Sequence, residues 1–356
     1  MPKIAIIGTT SWGITLGVVL ANKGLEVKLW ARNKQEATAV RRNGPNPNLL
    51  PGVKFPPSLS VTDSLKEALA NAKAVILVVP SQSMRQNIKL VVPYLDESML
   101  IISAAKGLEI GTGQRMSQVV MDEIDAKFRA NVCVLSGPNL SQEILQDLPA
   151  ATVLAAADEA IARKAQKLLS SPRLCVFTNT DVIGVELGGA LKNIVALGAG
   201  LTDGLSYGDN AKAALITRGL TEITALGVAL GASPLTFSGL AGLGDLITTC
   251  ASPLSRNHYV GVELAKGRSL KEITESMDGV AEGVSTTLAV RNLAHKMGLE
   301  MPITETIYRI LYEGADIRQA ATGLMNAGAA HELAGRKWRL FSSLRRRQRS
   351  KSMQPT

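Results

Sequence analysis

Cysteine is scarce. The three in 356 residues, Cys133, Cys175 and Cys250, are far apart, form no CxxC pair and have no histidine at ligand spacing. This excludes a disulfide framework and predicts a reducing compartment and no bound metal. Aromatic residues make up only 4%, which argues against an aromatic-rich sandwich and for aliphatic helix-on-sheet packing. The start, Met-Pro-Lys before Ile4 to Ile7, lacks a charged segment followed by a long apolar one, so no secretory signal is read and a cytoplasmic location is expected. One uncharged run, 223 to 244, is long enough to cross a bilayer, but Pro234 divides it and glycine, serine and threonine dilute it. A buried helix followed by a loop is expected there.

Acidic residues are also lacking at one place. The formal charge is +9, yet from Arg336 onward there are eight basic residues and no acidic one, so the rest of the chain lies within one charge of neutral. A basic end of this kind reads as a solvated extension. Alternatively, Leu340, Phe341 and Leu344 share a helical arc with Trp338 at its margin, as in a helix making weak contact with a membrane surface. The near-neutral body repeats no aromatic and basic pattern, so no nucleic-acid partner is expected.

What is present is a change of pattern halfway along. Short β-branched runs at Ile4–Ile7, Val27–Trp30, Val75–Val79, Leu100–Ser103, Val132–Leu135, Thr152–Ala155 and Cys175–Phe177 alternate with helical stretches. After Thr180 such runs stop, and apolar residues recur at helical spacing. The fold class predicted is α/β: an N-terminal Rossmann-type doubly wound sheet followed by an all-α C-terminal domain. The divisions are residues 1–185 for a dinucleotide-binding domain, 186–335 for a helical substrate and catalytic domain, and 336–356 for the basic tail. Ligands are expected between the two domains, at the carboxyl ends of the strands.

The first strand runs directly into Gly8-Thr9-Thr10-Ser11-Trp12-Gly13 and then a helix. Gly8 suits a tight turn, Gly13 suits close helix-to-sheet packing, and the helix N-terminus offers N–H groups to a pyrophosphate. Thr10 stands where the fingerprint has its middle glycine. At the end of the second strand, Trp30-Ala31-Arg32-Asn33 has no carboxylate to repel a 2′-phosphate and a guanidinium to pair with one. NADPH is therefore the expected cofactor, with NAD possible.

Further polar groups fall in otherwise apolar surroundings: Lys106-Gly107, Ser136-Gly137-Pro138-Asn139, Lys192-Asn193, Gly244-Asp245 and Ser255-Arg256-Asn257. Each also has an ordinary reading: Lys192 reaching solvent, Asp245 capping a helix, Arg256 on the surface. Together with VVPSQ, KGLE, ELGGALKNIVALGAGLTDGL, GLAGLGDLITTC and VAEG, in this order, they resemble the NAD(P)-dependent glycerol-3-phosphate dehydrogenases from Ile4 to about Glu332. The resemblance implies interconversion of sn-glycerol 3-phosphate and dihydroxyacetone phosphate, supply of phospholipid synthesis, and a homodimer. It also implies roles: Lys192 as general base, with Lys106, Asn193, Asp245 and Thr249 around the reacting carbinol. Ser255, Arg256 and Asn257 would bind the substrate phosphate, and Gly137 and Asn139 would touch substrate. Gly8, Thr10, Ser11, Trp12, Gly13, Arg32, Asn33, Lys106, Ser141, Arg256, Val280 and Glu282 would face the cofactor. Asn139, Leu140 and Ser141 depart from the family's usual Ser, Phe and Ala.

The chemistry is coherent, because oxidation at C2 needs a base near the hydroxyl proton and a doubly charged phosphate needs a buried donor cluster. A 3-hydroxyacid dehydrogenase of related architecture is the nearest rival, since its carboxylate would also bind an arginine. A dinucleotide sensor that uses the basic tail on nucleic acid is the rival of another kind.

Overall fold

Ile4 to Ile7 are all fully buried. Ile4 and Ile6 face one apolar cluster, Ala5 and Ile7 the opposite one, as a central strand covered on both faces must. In the computed structural model, which describes residues 1–326, this strand is β1 (Lys3–Ile7) of an eight-stranded sheet. The others are β2 (Glu26–Trp30), β3 (Leu59–Thr62), β4 (Ala72–Leu77), β5 (Leu100–Ser103), β6 (Val132–Ser136), β7 (Ala150–Ala155) and β8 (Leu174–Asn179). Their order is β3-β2-β1-β4-β5-β6-β7-β8, and every pairing is parallel except β6 with β7. The first six strands have the order of a dinucleotide-binding sheet, with its reversal between β1 and β4.

Seven of these strands lie where the sequence predicted them, although β4 ends before Val78 and Val79. The eighth, β3, was missed: it is four residues long, sits at the sheet edge behind Pro56-Pro57 and has only two strongly apolar residues, Leu59 and Val61. The helices among the strands are α1 (Ser11–Asn22), α2 (Lys34–Asn43), α3 (Leu65–Leu69), α4 (Met84–Val91), α5 (Met116–Glu123), α6 (Ser141–Leu145) and α7 (Glu159–Leu169).

From Val182 every described element is helical: α8 (Val182–Gly204), α9 (Gly208–Ala229), α10 (Asp245–Ala251), α11 (Arg256–Ala265), α12 (Leu270–Ser276), α13 (Glu282–Met297), α14 (Pro302–Tyr312) and α15 (Ile317–Asn326). The uncharged run at 223–244 is the end of α9 and the turns after it, with Pro234 opening a short 3₁₀ stretch. The expectations for Trp338, Leu340, Phe341, Leu344 and the basic segment 336–356 lie outside the described residues.

The axis of the helical half is α8. By length and composition it is apolar enough to cross a membrane, but every residue from Gly184 to Leu201 is buried, packed by α9, α10, α11 and α13. Its first turns are tied to the sheet half by Glu186, whose carboxylate accepts bonds from Arg115, from Ser117 N at 2.7 Å and from Ser117 Oγ at 2.6 Å. Further along, α11 crosses α8 backbone to backbone. A Cβ on Gly200 would overlap the His258 carbonyl oxygen, and one on Gly261 the carbonyl of Leu197. This close crossing carries residues 255–258 to the flank of α8. Gly261→Ala is expected to force the helices apart and lower stability by about 1–3 kcal/mol; urea denaturation checks it, and an unmoved midpoint would mean that the crossing has room to spare.

Candidate active site

The turn after β1 is built as a cradle. Gly8 has φ +113°, and a Cβ there would stand 2.6 Å from the Val78 carbonyl oxygen. Neither the backbone angle nor the space admits a side chain. A Cβ on Gly13 would overlap the Gly8 carbonyl oxygen, so this glycine closes the turn on itself. The close approach of helix to sheet belongs instead to Gly17, packed against Leu59, Ile6 and Val27. Thr10 needs no glycine's freedom: its φ of −66° and ψ of 160° are ordinary extended values. Its hydroxyl donates to Val78 O at 3.0 Å and accepts from Gly13 N at 3.1 Å. It thereby caps α1 and ties the turn to the end of β4. Ser11 and Trp12 open α1, and the Trp12 indole N–H is buried without a partner. Ser141 opens α6, which packs on α1. A cradle that any Cβ would fill, at the start of a twelve-residue helix, fits a dinucleotide pyrophosphate.

At the end of β2 the premise of the sequence reading is corrected. A carboxylate is present: Glu36, from the first turn of α2, accepts from Arg32 N at 3.2 Å and Arg32 Nε at 3.1 Å. Asn33 caps that helix, its side chain accepting Glu36 N at 2.8 Å. The Glu36 carboxyl is held below its usual range, Thr9 and Arg32 together outweighing the burial that opposes them.

Two lysines converge on one carboxylate. Asp245, 1% exposed, opens α10 directly after a π-turn, Leu240–Gly244. Its Oδ1 pairs with Lys192 Nζ from α8, and its Oδ2 accepts from Lys106 Nζ at 2.6 Å. Lys106 also donates to Gly137 O at 2.7 Å, and Lys192 to Thr249 Oγ1 at 2.6 Å. Thr249 passes its own proton to Asp245 O at 2.7 Å. Neither ordinary reading holds: Lys192 does not reach solvent, and the Asp245 side chain serves the lysines rather than a helix cap. Burial lowers the Lys192 pKa to about 8, with the Lys106 charge adding to the shift and Asp245 opposing it.

Asn193, next to Lys192, accepts from Asn257 Nδ2 at 2.9 Å, and Asn257 Oδ1 accepts Gly283 N at 2.8 Å. The Ser-Arg-Asn run therefore adjoins the lysines, with unequal parts. Ser255 caps α11 by accepting His258 N at 3.2 Å, and Asn257 bridges α8 and α13. Only Arg256 makes no hydrogen bond or ion pair among the described residues. Its side chain is exposed, yet surrounding protein lowers its pKa, with the Glu282 charge opposing. Glu282 opens α13 and accepts from Ser81 N at 2.9 Å and Ser81 Oγ at 2.5 Å. Val280, two residues before it, is exposed. His258 turns away, its Nε2 bonded to Asp203 at 2.7 Å.

Asn139 donates to Thr152 Oγ1 at 3.2 Å, while its Oδ1 and the Ser136 hydroxyl are buried with no partner. Ser136 lies against Gly189 of α8, beside the Lys106 stem, and no role was assigned to it from the sequence. Nor was one assigned to Thr152, Ser81 or Glu36. Ser81 stood inside the VVPSQ block, and Glu36 is three residues past the helix cap Asn33, which was a legible signal.

Known proteins resemble the chain throughout. Residues 3–162 match the N-terminal profile of the NAD-dependent glycerol-3-phosphate dehydrogenases, and residues 181–322 the C-terminal one. A glycerol-3-phosphate dehydrogenase of Dehalococcoides mccartyi, of the NAD(P)+ type, is 63% identical over 99% of this chain and 98% of its own. That of Moorella thermoacetica is 46% identical over 94% and 99%. The crystal structure of the Coxiella burnetii enzyme superposes with a TM-score of 0.86 at 38% identity, over 91% of this chain and 98% of that one.

Asp245→Asn would keep the shape and remove the anion. The expected cost is about 3 kcal/mol near pH 6, the scale for breaking a buried pair. The sign follows from Lys192, whose pKa falls further in the variant. The deficit shrinks as pH rises towards about 8, where the wild-type lysine also loses its proton, and levels off above. Denaturant titrations at pH 6, 7.5 and 9 check it; a deficit constant with pH would contradict the pairing.

Proposed function

The chain belongs to the NAD(P)-dependent glycerol-3-phosphate dehydrogenases, which interconvert sn-glycerol 3-phosphate and dihydroxyacetone phosphate, and from that premise we propose how its own residues divide the work. The observation that carries the reading is the single buried carboxylate of Asp245 holding Lys106 and Lys192 side by side. The bound nicotinamide exchanges a hydride with C2 of the substrate. Lys192, as the neutral amine, takes the C2 hydroxyl proton during oxidation and, as ammonium, returns one to the carbonyl oxygen during reduction. A pKa lowered to about 8 lets it serve in both directions near neutral pH. Lys106, paired with Asp245 beside Lys192, polarises the oxygen, while Asp245 and Thr249 fix the direction of the Lys192 amine.

Arg256 takes the substrate phosphate, because its guanidinium makes no hydrogen bond or ion pair among the described residues and it adjoins Asn257, which is bonded to Asn193 next to Lys192. Ser255 and Asn257 hold it in place, each retaining one donor hydrogen for the same anion. Binding at this non-reacting end orients C2. Gly137 contributes its carbonyl to Lys106, and the buried, partnerless Asn139 Oδ1 and Ser136 Oγ supply polar contacts to the rest of the substrate. The Gly8–Gly13 turn would hold the nucleotide, with Ser141, Val280 and Glu282 completing its site. NADPH is preferred, since the Arg32 side chain, 76% exposed at the end of β2, can exchange its ion pair with Glu36 for a 2′-phosphate. The domain division falls at Thr180 and Asp181, between β8 and α8. A homodimer, a cytoplasmic location, supply of phospholipid synthesis and weak membrane contact by the basic C-terminal residues complete the reading.

Nucleotide oxidation with dihydroxyacetone phosphate, set against a panel of 2-keto and 3-keto acids, tests the substrate. Two variants test the roles. Lys192→Ala is expected to lower kcat by roughly a hundredfold or more. In the wild type, oxidation should gain and reduction lose rate as pH rises through about 8; profiles flat across that range rule out this base. Arg256→Ala should raise KM for dihydroxyacetone phosphate at least tenfold, about the effect of losing one charge-assisted contact, and leave unphosphorylated dihydroxyacetone unaffected. Equal losses on both substrates would remove the phosphate pocket.

A further inference from the structure

Three pieces of chain meet beyond the carboxyl end of β2. Glu36 Oε1 accepts the Thr9 hydroxyl of the phosphate turn at 2.5 Å, and Oε2 accepts both the backbone and the Nε of Arg32. The two charged side chains are unequal: that of Glu36 is 24% exposed and that of Arg32 76%. The anion is seated, therefore, and the cation is the loose outer member of the pair. The adenosine ribose of a dinucleotide lies in this corner of the fold, between the turn and the end of the second strand. A carboxylate has about four acceptor sites, and three are taken here, so one remains on Oε1 for a ribose hydroxyl. A 2′-phosphate in the same corner meets a like charge, and its arginine is already engaged.

We propose that Glu36 sets the nucleotide specificity of this chain: it accepts a ribose hydroxyl of NAD, and by holding Arg32 and repelling a 2′-phosphate it keeps the preference for NADPH shallow. The proposal rests on the reading of Arg32 given above. NADPH binds when Arg32 exchanges the carboxylate for the phosphate, and Glu36 then remains beside that phosphate on its bond from Thr9. NAD binds with the pair intact. A purely structural Glu36, an anion in the first turn of α2, would affect melting and leave the choice between nucleotides alone.

The test is the dissociation constant for NADPH and for NADH, read by nucleotide fluorescence without substrate, together with KM for each with dihydroxyacetone phosphate, on the full chain carrying Glu36→Gln or Arg32→Ala. For each nucleotide the dissociation constant and KM should move alike. Glu36→Gln should lower KM for NADPH about threefold and raise KM for NADH by a similar factor, the scale of one exposed charge contact. Glu36→Asp keeps an anion at the start of α2 but withdraws it from Arg32. It should shift the two constants in the same opposed directions, which covers the case of a Gln variant that folds poorly. Constants that stay put or move together in both variants overturn the proposal. Arg32→Ala should raise KM for NADPH alone. If it does so while the Glu36 variants show no opposed shift, the Glu36 proposal falls and the reading of Arg32 stands. If Arg32→Ala changes nothing, the reading of Arg32 falls, and the NADH constant of Glu36→Gln still decides the hydroxyl contact.

Discussion

Two amines and one carboxylate, all largely withdrawn from solvent, govern this structure. Lys106 comes from the loop after β5, Lys192 from the middle of α8 and Asp245 from the start of α10. None is tolerable there without the others, since an unpaired buried charge costs several kcal/mol. With both lysines charged the trio keeps one net positive charge, which suits an anionic substrate. Its counter-ion is shared, so neither lysine is fully satisfied and the more deeply buried one gives up its proton more easily. Stability and reactivity thus draw on the same three groups.

Everything around the trio sets its position. The clasp of Glu186 with Arg115 and Ser117 fixes the loop region beyond Lys106 against the first turns of α8. The π-turn before α10 runs close enough to α8 that a Cβ on Gly188 would overlap the Ala241 carbonyl oxygen. The glycine-mediated crossing of α8 and α11 then brings Asn257, the neighbour of Arg256, onto Asn193 beside Lys192. On the proposed reading the sheet half holds the nucleotide and the helical half holds the base and the anion site, so neither half alone would contain a complete reaction centre.

Much of this was readable beforehand because it follows from local chemistry. Periodicity alone separates the β-branched runs before Thr180 from the helical spacing after it, and a lysine inside the apolar run 185–201 is conspicuous. The edge strand β3 escaped because four residues behind two prolines carry too little alternation to register. Glu36 is different: its spacing of three from the cap Asn33 was legible and marks it as a first-turn residue of α2, but that spacing does not show that its carboxylate also reaches Thr9. The same limit applies to Asn257 and Ser255. Their residue types suit anion binding, but only the packing of α8, α11 and α13 shows that each is already engaged in holding the frame.

The burial of α8 bears on how the chain is made. This helix is apolar enough to satisfy a bilayer, and the segments that cover it, α9, α10, α11 and α13, all follow it in sequence. A ribosome adding about 5–20 residues each second therefore leaves α8 uncovered for roughly ten seconds before its neighbours emerge. During that interval the nascent chain presents a sticky hydrophobic rod to the cell, and the yield of folded enzyme depends on what shields it.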